Sequence, residues 1–379
     1  MIYKKRNIII IILGIFIFGS IGFFNYLVDP YGIIHSFPNL LCISDYPRNM
    51  YPTVLKLSKK HKYEYLIIGS SATKRFINRS LFNNKNTIYM MTDRFNLSVQ
   101  IKYLKFILSL HPEIKNIIFP IEYAFYYSPE EKRPLEKPGN KFITTNDIIK
   151  LFFSLDTTLN SIKTIVSGSK NISNKNNEQI QCDARYEEHV IFNKKNFIGA
   201  YEKVTFPHPN DSELEELKNL IEEKNKKITI IFPPYHALIQ TIMEEKLPGK
   251  AQNLKQWVVN NFPDSKIIDF AYINNYTAEP IENSINYTDI AHPNGHTNYI
   301  FYCALKYPDK FQNKNIFTEL SKDNIDEIIN IQNEKLKQYS NNNREYIKKF
   351  KNYKHKDGID FVTKNAFVPA TCNYYLRNN

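Results

Sequence analysis

The sequence is poor in cysteine, and none of its cysteines lies near another. The four residues are Cys42, Cys182, Cys303 and Cys372. No Cys-x-x-Cys pattern is present, so we predict no metal site. A disulfide is left open, but spacing alone cannot assign its partners. Cys303 lies in an apolar stretch, and we interpret it as a small buried hydrophobic residue.

The sequence also lacks the motifs that bind nucleotides and nucleic acids. No glycine-rich phosphate loop or dinucleotide fingerprint occurs, and we predict no cofactor. The net charge of +12 suits an anionic partner such as a membrane surface or an acidic glycan. Scattered lysines carry most of this charge, and no arginine stripe or known nucleic-acid-binding motif is present. We therefore predict no nucleic-acid binding.

One long hydrophobic run is present, near the N-terminus. Lys4, Lys5 and Arg6 precede an uncharged run over residues 8–28. Roughly 20 apolar residues in a helix cross a bilayer, and a basic flank stays in the cytoplasm. No small-residue cleavage site follows, which favours an uncleaved anchor over a signal peptide. The pattern predicts a single-pass membrane protein whose domain lies outside the cytoplasm.

Beyond the anchor, apolar runs bounded by turn residues alternate with segments of helical spacing. The predicted strands cover residues 63–68, 86–91, 116–119, 227–232 and 266–270. This alternation is typical of an α/β fold with a mostly parallel five-stranded sheet.

Changes of composition predict three parts: an anchor (1–28), a domain (29–308) and a basic helical C-terminal extension (309–379). We interpret residues 129–200 as an insertion or lid, with a connector that has no role in catalysis as the alternative. We expect a helix over residues 323–338. The lysine-rich stretch that follows fits a solvated appendage or a site for anionic lipid or a partner.

Two short motifs carry the chemistry. Gly69-Ser70-Ser71 follows the first predicted strand, and Asp289 and His292 form a later Asp-x-x-His motif. A serine hydroxyl needs a base to attack a carbonyl carbon, and imidazole suits this role near neutral pH. A carboxylate fixes the tautomer of that base. If folding brings these residues together, the protein transfers or hydrolyses acyl groups.

Several neighbouring residues are alternatives or additions to this triad. Ser70 is a second candidate nucleophile, and His236 and His296 are rival bases. Ligands bind at the carboxyl ends of strands in parallel α/β sheets, where further polar residues lie. We therefore assign as substrate-binding candidates Ser70, Glu122, Tyr123, Tyr235, His236 and His296.

The two motifs resemble those of the SGNH (GDSL-type) hydrolase superfamily, which has a Gly-Asp-Ser block after the first strand and a final Asp-x-x-His block. Here serine replaces the usual aspartate of the first block. The resemblance covers about residues 60–305. It implies an SGNH-like three-layer α/β sandwich in which Ser71 is the nucleophile, His292 the base and Asp289 its partner. The N-terminal anchor is similar to that of membrane-anchored members, such as the D-alanyl transfer protein and the polysaccharide O-acetylation proteins.

The oxyanion hole departs from the family pattern. The family's second block has an oxyanion glycine, and residues 94–98 contain none. Its third block has an asparagine where this chain has Glu122, which cannot donate a hydrogen bond when ionised. The Ser71 amide and Asn96 are the candidate oxyanion donors.

The resemblance implies an extracytoplasmic acyltransferase or esterase that acts on a cell-envelope glycan through an acyl-serine intermediate. A polytopic membrane acyltransferase is the expected donor partner if the reaction is a transfer. The alternative is a non-catalytic SGNH-like protein that binds glycan or scaffolds an envelope assembly. The missing oxyanion glycine and Glu122 support that alternative.

Overall fold

The structure is a computed structural model. The residues that it describes are 2–30, 62–69, 73, 87–91, 97–122, 152–171, 189–191, 211–279, 287–289, 292–293, 295–311, 315–351 and 363–365. Asp289, His292 and His296 are described by their backbone alone. Ser70, Ser71, Asn96 and Tyr123 lie outside the described residues, as does most of the predicted insertion over residues 129–200.

The described residues form ten helices and ten strands. The helices are α1 (Ile2–Val28), α2 (Leu97–Leu110), α3 (Leu155–Asn171), α4 (Asp211–Glu223), α5 (Ala237–Lys246), α6 (Lys250–Asn261), α7 (Gly295–Lys306), α8 (Pro308–Phe311), α9 (Ile325–Asn342) and α10 (Arg344–Lys351). The strands are β1 (Tyr65–Gly69), β2 (Thr87–Met91), β3 (Asn116–Pro120), β4 (His189–Ile191), β5 (Lys227–Phe232), β6 (Lys266–Asp269), β7 (Tyr287–Asp289), β8 (His292–Pro293), β9 (Thr318–Leu320) and β10 (Thr363–Asn365).

Within the described part, six strands form the main sheet in the order β2-β1-β3-β5-β6-β9. The first five are parallel, and β9 pairs antiparallel with β6 at the edge. The five predicted strands therefore exist, and the α/β class is confirmed. We did not predict β9, because its three residues are too few to show an alternating pattern.

Helices cover both faces of this sheet because alternate strand residues point to opposite sides. Leu66 and Ile68 of β1 enter one hydrophobic cluster, together with residues of α2, α4, α5 and α6. Ile67 enters a second cluster with residues of α7 and α8. β1 is buried on both faces, which explains why it reads as a continuous apolar run rather than an alternating one.

The predicted C-terminal extension is part of the main domain up to α10. β9 completes the sheet, and Ile325, Tyr339 and Ile347 lie in the same core cluster as β1. The Gln332 side chain accepts a hydrogen bond from the Ile273 backbone amide at 2.9 Å. The predicted boundary at residue 308 therefore does not separate two hydrophobic cores.

Cys303 is buried on α7 and is disulfide-bonded. We had interpreted it as a small buried hydrophobic residue. Its burial agrees with that interpretation, but its sulfur is oxidised. The other three cysteines lie outside the described residues, so the pairing is left open.

The helix α1 contains a stretch, Arg6–Val28, that is long and apolar enough to cross a membrane. Almost none of this stretch is buried, and Phe16 is 71% exposed. The buried residues of α1, Gly22, Asn25 and Val28, lie in its last two turns, and α1 packs against α3. The first part of the helix therefore presents apolar side chains all round, as a membrane span does.

Candidate functional site

The strand order of the main sheet has a switch point between β1 and β3. Counted along the chain, the five parallel strands have the order 2-1-3-4-5, which reverses direction between β1 and β3. Ligands of open α/β sheets bind at such a switch point. Gly69 ends β1 and Pro120 ends β3, so the residues after each strand lead to this edge of the sheet.

A hydrogen bond joins the segments that follow these two strands. The Thr73 hydroxyl donates to Glu122 Oε1 at 2.9 Å, and the Thr73 side chain is fully buried. Glu122 was a predicted substrate-binding residue, whereas Thr73 was not singled out. The sequence offered one signal for Thr73, its position just after the Gly-Ser-Ser motif. The bond holds the region around that motif next to the end of β3.

The Asp289–His292 motif lies on a short antiparallel hairpin formed by β7 and β8. Within it, Asp289 of β7 pairs with His292 of β8. The pairing brings the two backbones side by side, about 5 Å apart between Cα atoms. His292 is followed closely by α7, which carries His296 in its first turn. The hairpin thus pairs the backbones of the two residues that we predict as base and carboxylate.

His236 is buried, and both of its ring nitrogens are engaged. It caps α5, with Nδ1 accepting a hydrogen bond from the Leu238 amide at 3.1 Å. Nε2 lies 2.9 Å from the Glu279 carbonyl oxygen, to which it donates. Burial lowers the pKa of His236 from 6.5 to about 4, although the bond to Glu279 opposes this. We therefore assign His236 to the fold rather than to substrate binding or base catalysis.

The neighbouring Tyr235 is also fully buried, so its side chain does not line an open surface. Tyr235 and His236 both follow the end of a strand, as residues of a ligand site do, but their side chains are buried inside the protein. All four residues of the segment Pro233–His236 are buried. This segment leads into α5, which His236 caps, and the His236 ring packs against Tyr287 of the hairpin.

The buried His236 ring also supports the hairpin that carries the predicted dyad. The Tyr287 ring of β7 packs edge-on against it, with ring centroids 5.1 Å apart. Burial raises the pKa of Tyr287 well above its usual range, and the nearby Glu279 raises it further. Tyr287 is therefore a neutral anchor two residues before Asp289. This contact fixes the start of the hairpin next to the carboxyl end of β5.

In the main sheet, the strand that precedes the Gly69-Ser70-Ser71 motif lies close to the strand that precedes His236. Only β3 lies between β1 and β5. Because neighbouring strands are about 4.8 Å apart, β1 and β5 are separated by about 10 Å. His236 joins the hairpin to the segment that follows β5 through its contact with Tyr287. Ser70 and Ser71 lie outside the described residues, so the approach of the two motifs to each other stays a prediction.

A separate cavity lies between α5, α6 and α9, lined in part by Glu244, Gln252, Lys255 and Gln332. None of the sequence-predicted site residues lines it. Gln252 Oε1 and Gln332 Nε2 are buried there without a hydrogen-bond partner among the described residues. An acceptor and a donor that face one small cavity are well suited to share a buried water.

Beside the same cavity is a buried ion pair that the sequence analysis missed. Lys255 Nζ lies 2.6 Å from Asp269 Oδ2, and neither side chain is more than 8% exposed. Asp269 ends β6 and also accepts a hydrogen bond from the Ala271 amide at 2.9 Å. Lys255 of α6 forms this ion pair, so the Asp269 carboxylate is buried and is not accessible at the edge of the sheet.

In the part of the chain that the structure describes, no group of three or more His, Cys, Asp or Glu side chains could hold a metal ion. Comparison with known proteins gives no further assignment. No family model matches the chain, and neither the curated proteins nor the solved structures contain a significant match.

Proposed function

We propose that this protein is a membrane-anchored, extracytoplasmic SGNH-like acyltransferase or esterase that acts on a cell-envelope glycan. Ser71 is the nucleophile, His292 the base and Asp289 the carboxylate that orients the base. The observation that carries the proposal is the 2-1-3-4-5 strand order, whose switch point lies where the Gly69-Ser70-Ser71 motif leaves β1.

The hairpin geometry supports the assignment of the dyad. Asp289 and His292 are paired in the backbone, and Tyr287 holds the hairpin beside the end of β5. A carboxylate next to the imidazole accepts a hydrogen bond from the ring N–H that faces it, and so leaves the other ring nitrogen free to act as base. The SGNH-like three-layer sandwich is part of this proposal, and helices on both faces of the sheet agree with it.

The location outside the cytoplasm rests on two features. The long apolar helix α1 follows a basic N-terminus, and the buried Cys303 is in a disulfide. Disulfides persist in oxidising compartments and are rare in the cytoplasm. In this proposal α1 is an uncleaved anchor, and the hydrogen bonds of Asn25 to residues of α3 and of the segment before it support that role.

The chemistry proceeds in two balanced steps. Ser71 Oγ attacks the acyl carbonyl carbon while His292 takes the hydroxyl proton, and the donor's alcohol leaves with that proton as the acyl-Ser71 ester forms. A sugar hydroxyl or water then gives its proton to His292 and attacks the carbonyl carbon of the ester. The bond from that carbon to Ser71 Oγ breaks, Ser71 Oγ takes the proton from His292, and the new ester or the free acid leaves. The acceptor that reaches the ester decides between transfer and hydrolysis.

The test is a Ser71→Ala variant, assayed for turnover of p-nitrophenyl acetate and for labelling by a serine-reactive phosphonate. We expect turnover to fall by about 10⁴-fold or more and labelling to disappear. Ser70→Ala is the matched control, since it removes the neighbouring hydroxyl and leaves Ser71 in place. Wild-type turnover in Ser71→Ala, or equal losses in both variants, would reject Ser71 as the nucleophile.

The second candidate function is glycan binding or scaffolding without catalysis. It is favoured by Glu122, whose carboxylate accepts a hydrogen bond from Thr73 where the SGNH pattern has a donor. This candidate predicts that glycan binds to the wild type while the phosphonate labels no serine. Labelling of Ser71 by the phosphonate would exclude it.

A further inference from the structure

The helix α3 is amphipathic, but it buries polar side chains and exposes apolar ones, which is the reverse of a helix in a water-soluble domain. The side chains that it buries are hydroxyls, whereas its large apolar side chains are exposed. Buried are Thr157, Ser161 and Thr164. Exposed are Leu155, Leu159, Ile162 and Ile165. Leu155 is 73% exposed, so this face has no protein cover among the described residues.

Helical spacing explains how the two sets separate. The exposed apolar residues recur at intervals of three or four, and so do the buried hydroxyls. Residues at this spacing share one face of an α-helix. The helix begins where Ser154 caps it, its hydroxyl oxygen accepting a hydrogen bond from the Thr157 amide at 3.0 Å. The helix continues to Asn171.

The hydroxyl face of α3 packs against the end of α1. Asn25 of α1 donates to the Phe152 carbonyl oxygen at 2.6 Å and to the Thr158 hydroxyl at 2.9 Å. The Ser161 hydroxyl donates to Asn25 Oδ1 at 2.9 Å. Hydrogen bonds from an asparagine side chain to a second helix are a characteristic contact between helices within a membrane.

The contact is close as well as polar. The Phe153 ring lies directly over Gly22 of α1, where an added Cβ would clash with it. Tyr26 packs edge-on against Phe152, with ring centroids 5.8 Å apart. Small residues that let a neighbouring group approach are enriched at helix interfaces in membranes. The apolar surface of α1 is therefore continuous with the exposed apolar face of α3.

Exposing this face to water would be unfavourable. Burial of a Leu or Ile side chain is favourable, and four such side chains are exposed on α3. Lipid acyl chains remove this cost. The opposite face has no such need, because the Ser161 hydroxyl bonds to Asn25 and the Thr157 hydroxyl bonds to Ser154. A partner protein or a second copy is the alternative occupant, and the fluorescence experiment distinguishes it from lipid.

We propose that α3 lies in the lipid boundary beside the outer end of α1, with the face formed by Leu155, Leu159, Ile162 and Ile165 against acyl chains. This inference rests on α1 spanning a membrane, as in the proposed function, and not on any chemistry at Ser71. The membrane then contacts the predicted insertion, so this part of residues 129–200 is a membrane-docking element rather than a lid. α1 and α3 together fix how the domain stands on the bilayer.

The experiment uses tryptophan fluorescence of the full chain in phosphatidylcholine vesicles that contain brominated acyl chains, which quench tryptophan on contact. The chain has one tryptophan, Trp257. In a Trp257→Phe background, Leu159→Trp and Ile162→Trp each place a single reporter on the exposed face. Two reporters guard against one variant failing to fold, which circular dichroism checks. Glu327→Trp, an exposed position on α9, is the matched control.

We expect brominated lipid to reduce the emission of both α3 reporters roughly twofold or more, as for a helix buried about 5–10 Å into the acyl boundary. The Glu327→Trp control should keep its emission. Unquenched α3 reporters in folded protein would overturn the proposal, and a blue-shifted emission without quenching would assign the face to a protein partner or a second copy. Equal quenching of the control would also overturn it. Ser71 takes no part in the readout, so the result is independent of the acyl-transfer test.

Discussion

The sheet domain and the α1–α3 pair bury opposite kinds of side chain. The sheet domain encloses strands such as β1 and β5 between apolar helix faces. The α1–α3 pair encloses Asn25 and Ser161 and leaves leucines and isoleucines outside. Two regions of one chain therefore follow opposite rules of burial. The difference is explained if water surrounds the first and lipid the second.

Two of the polar groups that the sheet domain buries have matched partners. His236 uses both ring nitrogens, and Lys255 neutralises Asp269. In a core surrounded by water, breaking such an ion pair is strongly destabilising, because an unpaired buried charge costs several kcal/mol. In the α1–α3 pair the polar groups form hydrogen bonds between helices. Each of these bonds is worth less, because helices that separate within a bilayer find other hydrogen-bond partners.

The largest effect is expected from breaking the ion pair in the sheet domain. Lys255→Met leaves the fully buried Asp269 carboxylate without its cation, so the free energy of unfolding should fall by about 3–5 kcal/mol. Urea unfolding of the purified chain, followed by circular dichroism, measures this change.

The control is a double-mutant cycle with Asp269→Leu. Because the double variant carries no buried charge, it should be more stable than the sum of the two single losses predicts. If the two losses in the free energy of unfolding simply add, Lys255 and Asp269 are not energetically coupled. The contrast between the two regions would then not be supported by this pair.

A second effect concerns the pH dependence of His236. Its pKa in the folded protein is about 4, below the 6.5 of an unperturbed histidine, because burial disfavours the charged ring. Between these values the unfolded chain binds a proton that the folded chain does not. The stabilisation is therefore complete above pH 6.5 and is lost as the pH falls towards 4, by up to ~3 kcal/mol.

His236→Asn isolates this contribution. Asparagine still caps α5, but it does not titrate. Denaturant midpoints measured from pH 7.5 down to pH 4 should therefore show a smaller loss of stability in the variant than in the wild type. Parallel curves for the two proteins would contradict the assignment of a buried neutral His236.

The strands of the main sheet could be predicted because each is a local pattern. The run at residues 227–232 coincides with β5. The run at 63–68 is displaced by up to two residues from β1, because Tyr63 packs against His111 instead of joining the ladder. A side chain can be apolar and buried without its backbone being in a strand, and sequence does not distinguish the two cases.

Elements that depend on distant partners could not be predicted. β9 is a strand only because β6 offers an open edge to it. The helix α9 was expected on the surface of an extension, yet Gln332 and Tyr339 are buried in the main domain. Its amphipathic pattern indicated that one face is covered, but not that α5 and α6 cover it.

The geometry of the candidate site was predictable only in part. The Asp-x-x-His spacing indicates a local unit, and the hairpin pairs those two residues. His236 resembled a site residue because it follows a strand. Its actual partners are Glu279 and Tyr287, which lie more than forty residues later. The contact of Thr73 with Glu122 likewise depends on the pairing of β1 with β3.

The smallest effect is expected at the α1–α3 contact. Asn25→Leu removes the hydrogen bonds to Phe152, Thr158 and Ser161 but keeps a side chain of similar length. Between helices in a bilayer such contacts are worth about 1–2 kcal/mol in total. Amide hydrogen exchange in proteoliposomes should therefore quicken about 5- to 30-fold across α3 and stay unchanged in β1 and β5. Leu159→Ala, on the exposed face, is the control that keeps Asn25 bonded. If the sheet and α3 lose protection together, the two regions are one cooperative unit, and the separation drawn between a water-surrounded domain and a lipid-surrounded pair does not hold.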